Sequence, residues 1–298
     1  MSGAGASKTE KNYRQALEGE ARTLCERAIA LGMAEDLGLE STGDVTTLAT
    51  VPADATAQAR VELRQPATIA GLEIFQAVMH GLDRELKLAF LCREGDRVAG
   101  TPCDILRITG NARAILTAER LALNLLQRMS AIATMTGRFV EKARGSGIEI
   151  LHTRKTTPGL RAFERYAVLV GGGTLHRAGL YDRVLIKENH ITMAGSVTEA
   201  VRRARLACPD LIVEVETRTL AEVEEAVGAG ADIILLDNMK PDRVREAVAL
   251  AAGAARLEVS GGINLDNLDS YLIAGIDYIS VGALTHSVPA VDMSLILD

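Results

Sequence analysis

Residues 57–64 alternate without a break, with Ala57, Ala59, Val61 and Leu63 on one side and Gln58, Arg60, Glu62 and Arg64 on the other. That period of two predicts a half-buried strand. Upstream, Leu17, Leu24, Ile29 and Met33 form a loose helical stripe and predict a helix over 13–36, followed by a turn-rich passage from Gly38 to Val51. Strand-like runs follow at 67–70, 85–92 and 104–109, with a short helix at 72–80. Together these suit a small, mostly antiparallel sheet covered on one side. Leu121, Leu125, Met129 and Ile132 then mark a long helix over 117–144.

From residue 148 the rhythm changes. Short apolar runs at 148–153, 183–187, 211–217, 231–238, 257–262 and 277–282 alternate with helical stretches at 196–208, 219–228, 241–252 and 265–274. Such alternation predicts parallel βαβ units. A dinucleotide-binding fold is the obvious rival. However, in GGGTLHRAG His176 stands where G-x-G-x-x-G needs its third glycine, and no G-x-x-x-x-G-K-S/T motif occurs. His152, Thr153, Arg154, Lys155, Lys187, Glu216, Asp237, Ser260 and Gly282 all fall at or just past predicted C-terminal strand ends, the arrangement of a barrel. The expected fold class is α/β: an incomplete α/β barrel of six to seven strands with an N-terminal α+β open-faced sandwich. The domains are expected at 13–128 and 129–286, with the tail 287–298 returning to the first.

Composition sharpens the picture. The 298 residues carry a net charge of -6, yet residues 153–190 gather Arg154, Lys155, Arg161, Arg165, His176, Arg177, Arg183 and Lys187 around two glycine-rich turns. Cations concentrated in an acidic chain suit a small ligand with several negative charges. Arg161, Arg165 and Arg183 read as solvated loop residues, and His190 as a ligand contact or a loop anchor. The acidic balance, 3% aromatic content and absence of Trp argue against nucleic acid as partner. Four cysteines without metal-type spacing fit a reducing cytoplasm. No segment approaches a membrane span, and the polar start MSGAGASKTEK lacks a secretory signal.

Two phosphate signals come from the last two strands. Ser260, Gly261 and Gly262 end one strand ahead of the helix expected near Leu265, and Gly282 ends the next. Exposed backbone N–H groups and a helix dipole would both favour an anion there. Glu214 and Glu216 point to one strand face, with Asp237 ending the next strand. Glu216 and Asp237 suit Mg²⁺ bridged through a phosphorylated ligand, ribose hydroxyls, or a plain salt bridge to Lys155 or Lys187. A lysine at a barrel strand end also keeps Schiff-base chemistry open, and a non-catalytic sensor of a phosphorylated metabolite is a third reading.

Several short motifs, in order, resemble the nicotinate-nucleotide pyrophosphorylase (quinolinate phosphoribosyltransferase) family across nearly the whole chain. They are EDLG and GDVTT at 35–38 and 43–47, TAERLALNLLQRMSAIAT at 117–134, TRKTTPGLR at 153–161, YAVLVGGG with HR at 166–177, LIKENHI at 185–191, EVET at 214–217, LLDNM at 235–239 and SGGI at 260–263. The resemblance implies decarboxylating phosphoribosyl transfer to quinolinate from 5-phosphoribosyl 1-diphosphate, with Mg²⁺, in a cytoplasmic homodimer or larger assembly. It also implies roles. Thr153, Arg154, His176, Arg177 and Arg120 would hold quinolinate, Arg120 reaching from the neighbouring subunit. Lys155 and Lys187 would face the carboxylate and diphosphate side. Glu216 and Asp237 would meet ribose and Mg²⁺, and are implied as catalytic together with Lys155. Ser260, Gly261, Gly262, Val281, Gly282 and Ala283 would cradle the 5-phosphate. Leu175 stands where the family has Asn, and His152 where it has Asp.

Overall fold

The computed structural model describes residues 17–40 and 42–298. The chain divides into two compact units: Met1–Gly137 with Thr156–Gly172 and Val288–Asp298, and Arg138–Lys155 with Gly173–Ser287. The polar N-terminal stretch and residues 13–16 of the expected first helix lie outside the described residues.

In the first unit, α1 (Glu20–Leu37) and α2 (Val45–Thr50) precede β1 (Thr56–Leu63). α2 replaces part of the expected turn passage. Asp44 caps it by accepting the backbone N–H of Thr47 at 3.0 Å, and six residues are too few for periodicity to reveal. Then come β2 (Ala67–Thr68), α3 (Leu72–Leu82), β3 (Lys87–Phe90), β4 (Arg97–Val98), β5 (Cys103–Asn111) and the long α4 (Ala112–Lys142), whose last turn enters the second unit. The final strand, β12 (Met293–Leu297), pairs with β1, giving an antiparallel sheet ordered β12-β1-β5-β3. The alternation of β1 is obeyed: Ala59, Val61 and Leu63 are buried and share a core with Phe75, Ile105 and Leu126.

Helix α5 (Arg161–Val170) clusters with this unit, not with a single block over 129–286, because Phe163, Tyr166 and Ala167 are buried in the same core. Gly171 follows it. A Cβ there would lie 2.5 Å from the carbonyl oxygen of Ala133 on α4, so the first glycine of GGG serves close helix packing.

The second unit contains β6 (Glu149–Leu151), β7 (Val184–Ile186), β8 (Val213–Thr217), β9 (Ile233–Asp237), β10 (Arg256–Ser260) and β11 (Tyr278–Ser280). They form one parallel sheet ordered β6-β11-β10-β9-β8-β7, with Thr174 adding a lone parallel bridge to Leu151 beyond β6. Helices α6 (Glu188–Ala194), α7 (Val197–Ala207), α8 (Leu220–Gly228) and α9 (Pro241–Ala251) connect the strands, and α10 (Ala283–His286) follows β11. This is the six-stranded, incomplete barrel expected. One strand parity is aliphatic (Val213, Val215, Ile234, Leu236, Leu257, Val259), while the other carries Glu214, Glu216, Asp237, Glu258 and Ser260. Register sets Ser260 beside both Asp237 and Ser280.

Residues 265–274 are not the expected helix; a four-residue 3-10 turn, Leu268–Tyr271, takes its place. Asn264 Oδ1 accepts the N–H groups of Asp266 (2.9 Å) and Asn267 (3.0 Å), so side-chain bonds replace the start of a helical ladder. Among the described residues, no helix is long and apolar enough to cross a membrane.

Candidate active site

A cavity of about 320 Å³ opens at the C-terminal ends of the barrel strands. The loop after β6 brings Thr153, Arg154 and Lys155; the segment before β7 brings His176 and Arg177; Lys187 follows β7. Glu216 and Asp237 come from β8 and β9, and Glu258, Ser260 and Ser280 from β10 and β11. All six strands therefore reach one site, as barrel geometry requires. A larger groove of about 710 Å³ lies at the opposite strand ends around Asp232, Arg256 and Asp277, but it is mostly glycine, alanine and aliphatic and assembles no comparable cluster.

Charge is divided within the cavity. Lys187 Nζ is ion-paired with Glu216, and Arg218 pairs with Glu188 while its Nε lies 3.6 Å from Asp237 Oδ2. Among the described residues, no ion pair joins Arg154, Lys155 or Arg177 to a carboxylate. Among the described residues Arg154 Nε is buried without a hydrogen-bond partner, and the Arg177 guanidinium donates a 3.5 Å bond to the Arg183 carbonyl while feeling the charges of Glu214 and Asp182. Burial, and then the neighbouring Arg154, hold Arg177 below the ordinary guanidinium range. Two guanidiniums in this setting repel one another, and a carboxylate or phosphate between them relieves the repulsion.

Beneath them lies a buried polar cluster. His176 Nε2 is 3.4 Å from Glu214 and 3.5 Å from Glu258 Oε1, and both carboxylates are fully buried. β8 and β10 are not adjacent, so contact of both with one imidazole reflects the curl of the sheet. Arg183 holds Glu214 at 3.2 Å and the Ser280 hydroxyl donates to Glu258 Oε1, whereas Glu258 Oε2 is buried without a hydrogen-bond partner among the described residues. His176 Nδ1 accepts the backbone N–H of Arg177 at 2.7 Å, which places the ring proton on Nε2. Burial pulls His176 down, but the two carboxylates outweigh it and raise its pKa to about 9; burial also raises Glu258. The three side chains have metal-ligand chemistry and their ligand atoms lie within 4.8 Å of one another, but Arg183 and Ser280 already engage the carboxylates.

Residues 44–130 match the N-terminal domain model of quinolinate phosphoribosyl transferase, and residues 132–296 match its C-terminal domain model. The chain belongs to the quinolinate phosphoribosyl transferase family. It is 42% identical over 259 residues to nicotinate-nucleotide pyrophosphorylase (carboxylating) of Mycobacterium leprae, covering 85% of this chain and 90% of that protein. It is 38% identical over 289 residues to quinolinate phosphoribosyltransferase (decarboxylating) 1b of Nicotiana tabacum, covering 91% and 81%. The solved nicotinate-nucleotide pyrophosphorylase of Francisella tularensis superposes with a TM-score of 0.88 at 36% identity, covering 95% of this chain and 99% of that one.

Within this quinolinate phosphoribosyl transferase fold, the cavity unites Thr153, Arg154, Lys155, His176, Arg177, Lys187, Glu216, Asp237 and Ser260. Gly282 adjoins them, since a Cβ there would lie 3.1 Å from Lys155 Cδ. Gly261 adopts φ +99°, where a Cβ would fall 2.3 Å from Asn238 Oδ1. Gly262 follows at φ +63°. The helix-dipole part of the phosphate expectation fails: a 3-10 turn and the four-residue α10 follow these loops, which leaves backbone N–H groups and the Ser260 hydroxyl as their donors. Val281 is tied into the sheet by its N–H to the Leu151 carbonyl at 2.9 Å, and Ala283 opens α10. Arg120 belongs to the first unit, on α4, with its side chain 64% exposed.

Other readings change. Arg183 is not solvated, at 17% side-chain exposure and paired with Glu214. Arg161 and Arg165 lie on α5 of the first unit. His190 is a loop anchor whose Nδ1 accepts the Lys187 N–H at 2.9 Å. Glu258, Ser280 and Arg218 were not singled out from sequence. Glu258 was nonetheless marked by its spacing, two before Ser260, which repeats that of Glu214 before Glu216.

Proposed function

We propose that this chain transfers phosphoribosyl from 5-phosphoribosyl 1-diphosphate to quinolinate with decarboxylation, giving nicotinate mononucleotide, diphosphate and CO₂ in de novo NAD biosynthesis. One observation carries the assignment within the family: among the described residues Arg154 and Arg177 form no ion pair with a carboxylate, in the same cavity where Glu216 and Asp237 stand. A planar aromatic diacid and a phosphorylated sugar have opposite needs, and the cavity offers each its complement.

Arg154 and Arg177 hold the two carboxylates of quinolinate and aim its ring nitrogen at the anomeric carbon. As the C–O bond to diphosphate breaks, positive charge develops on the ribose, and Glu216 and Asp237 stabilise it. Lys155 and Lys187 balance the departing diphosphate. Once the nitrogen is alkylated, the cationic ring accepts the electron pair left when the C2 carboxylate departs as CO₂, and a proton replaces it. Ser260 with the N–H groups around Gly261, Gly262 and Gly282 holds the 5-phosphate. Thr153 braces the Arg154–Lys155 loop by accepting the Lys155 N–H at 3.2 Å.

The oxygen donors of Glu216 and Asp237, at adjacent strand tips, fit Mg²⁺ bound largely through substrate phosphates. When bound, the ion neutralises the diphosphate. Arg120, exposed on α4, supplies a further carboxylate contact to the neighbouring site of a homodimer or larger assembly, and the protein works in the cytoplasm. The test is direct: purified protein, quinolinate, 5-phosphoribosyl 1-diphosphate and Mg²⁺ yield nicotinate mononucleotide and CO₂ in equal amounts. Absence of both products with all substrates present overturns the assignment.

A further inference from the structure

The buried carboxylates beneath the cavity have no part in the chemistry above. Glu258 is fully buried on β10, and an unneeded carboxyl group there is costly. Its Oε1 faces His176 Nε2 at 3.5 Å and accepts from Ser280. The far side of the same imidazole accepts the Arg177 backbone N–H at 2.7 Å. Both ring nitrogens are thus committed inside the protein. Rotating the ring would break the tie to the barrel wall and the tie to Arg177 together.

The segment carrying Arg177 needs such a tie. It runs from the lone Thr174–Leu151 bridge to β7, outside the strand ladders. We propose that Glu258, seated by Ser280, is a positioning residue for the quinolinate subsite: it orients His176, which fixes the backbone at Arg177 and so the guanidinium that meets the acceptor carboxylate. Glu214, clamped by Arg183, shares Nε2 from the other wall at 3.4 Å, so the ring is set between the two carboxylates. This inference rests on the phosphoribosyltransferase reading and adds a residue that touches neither substrate.

The wild-type enzyme and variants are assayed by varying quinolinate and 5-phosphoribosyl 1-diphosphate separately. Glu258→Leu, which removes one of the two carboxylates at Nε2 and leaves the ring drawn to Glu214 alone, raises KM for quinolinate about tenfold and leaves KM for the donor within about twofold. Glu258→Gln keeps an acceptor oxygen and returns most of the lost affinity. In a His176→Ala background, Glu258→Leu adds less than about twofold. An unchanged quinolinate KM in Glu258→Leu, equal rises for both substrates, or no rescue by glutamine each overturns the proposal. If Glu258→Leu does not fold, Ser280→Ala decides: a selective rise of about threefold in quinolinate KM supports the role, and none refutes it. Inactive wild-type protein would instead refute the phosphoribosyltransferase reading itself.

Discussion

Arg128 on α4 donates to Glu164 Oε1 on α5 through Nε at 3.0 Å and a terminal nitrogen at 2.7 Å, and Glu164 is wholly buried. Removing the arginine leaves a buried carboxylate whose remaining support includes the Thr157 N–H at 3.2 Å. Arg128→Ala is therefore expected to cost about 3 kcal/mol, the low end for a broken buried pair because Arg128 is itself 28% exposed. Arg128→Met with Glu164→Met should cost much less than the single change. Urea unfolding of both variants checks this, and an Arg128→Ala stability equal to wild type contradicts it.

The paired guanidiniums of the cavity give a kinetic prediction. Arg154→Ala and Arg177→Ala each lose a charge-assisted contact worth about 1.5–3 kcal/mol, or roughly ten- to hundredfold in quinolinate KM. The KM for 5-phosphoribosyl 1-diphosphate should change far less. A substrate-by-substrate KM comparison reads the difference, and equal losses for both substrates would remove the assignment of these residues to the diacid.

The two glycines after β10 should behave differently. Gly261→Ala places a Cβ at φ +99° and 2.3 Å from Asn238 Oδ1, whereas Gly262→Ala sits at φ +63° with nothing within 4 Å. The second change should cost only about 1 kcal/mol of backbone strain. The first must also displace Asn238, next to Asp237, and should raise the donor KM more than tenfold. Donor titrations of the two variants decide it; equal effects would mean the Asn238 contact is unimportant.

Glu94 offers a pH test. It accepts the N–H groups of Gly71 and Leu72, yet burial outweighs them and pushes its pKa from 4.5 to about 7. The folded state thus favours the neutral acid. That contribution is full below pH 4.5 and is lost as pH rises through 7, at most about 3 kcal/mol at 1.4 kcal/mol per unit. Glu94→Gln cannot ionise, so its stability relative to wild type should rise between pH 5 and pH 8. Denaturant midpoints at the two pH values test the sign, and a constant difference would refute it.

Much of this was legible in the sequence because two signals are local. Alternation over 57–64 fixed the buried face of β1, and the strand-end positions of Arg154, Lys187, Glu216 and Asp237 predicted their convergence. What escaped depends on partners distant in sequence. Arg183 reads as a loop cation until Glu214, 31 residues on, takes it up. Residues 265–274 have a helical pattern, but the Asn264 side chain captures the first N–H groups. Gly171 looks like a binding-loop residue until Ala133 is found against it.

The stretch from Thr174 to Arg183 has a consequence for how such an enzyme can change. The residues proposed to meet the sugar phosphate stand on the ladder of β8–β11, where altering one strand disturbs its neighbours. His176 and Arg177 sit instead on an irregular span held by one bridge and a few side chains. On the roles proposed above, substitutions along that span retune which aromatic acid is accepted while the machinery that activates the sugar stays intact, so acceptor choice and sugar activation are open to separate selection.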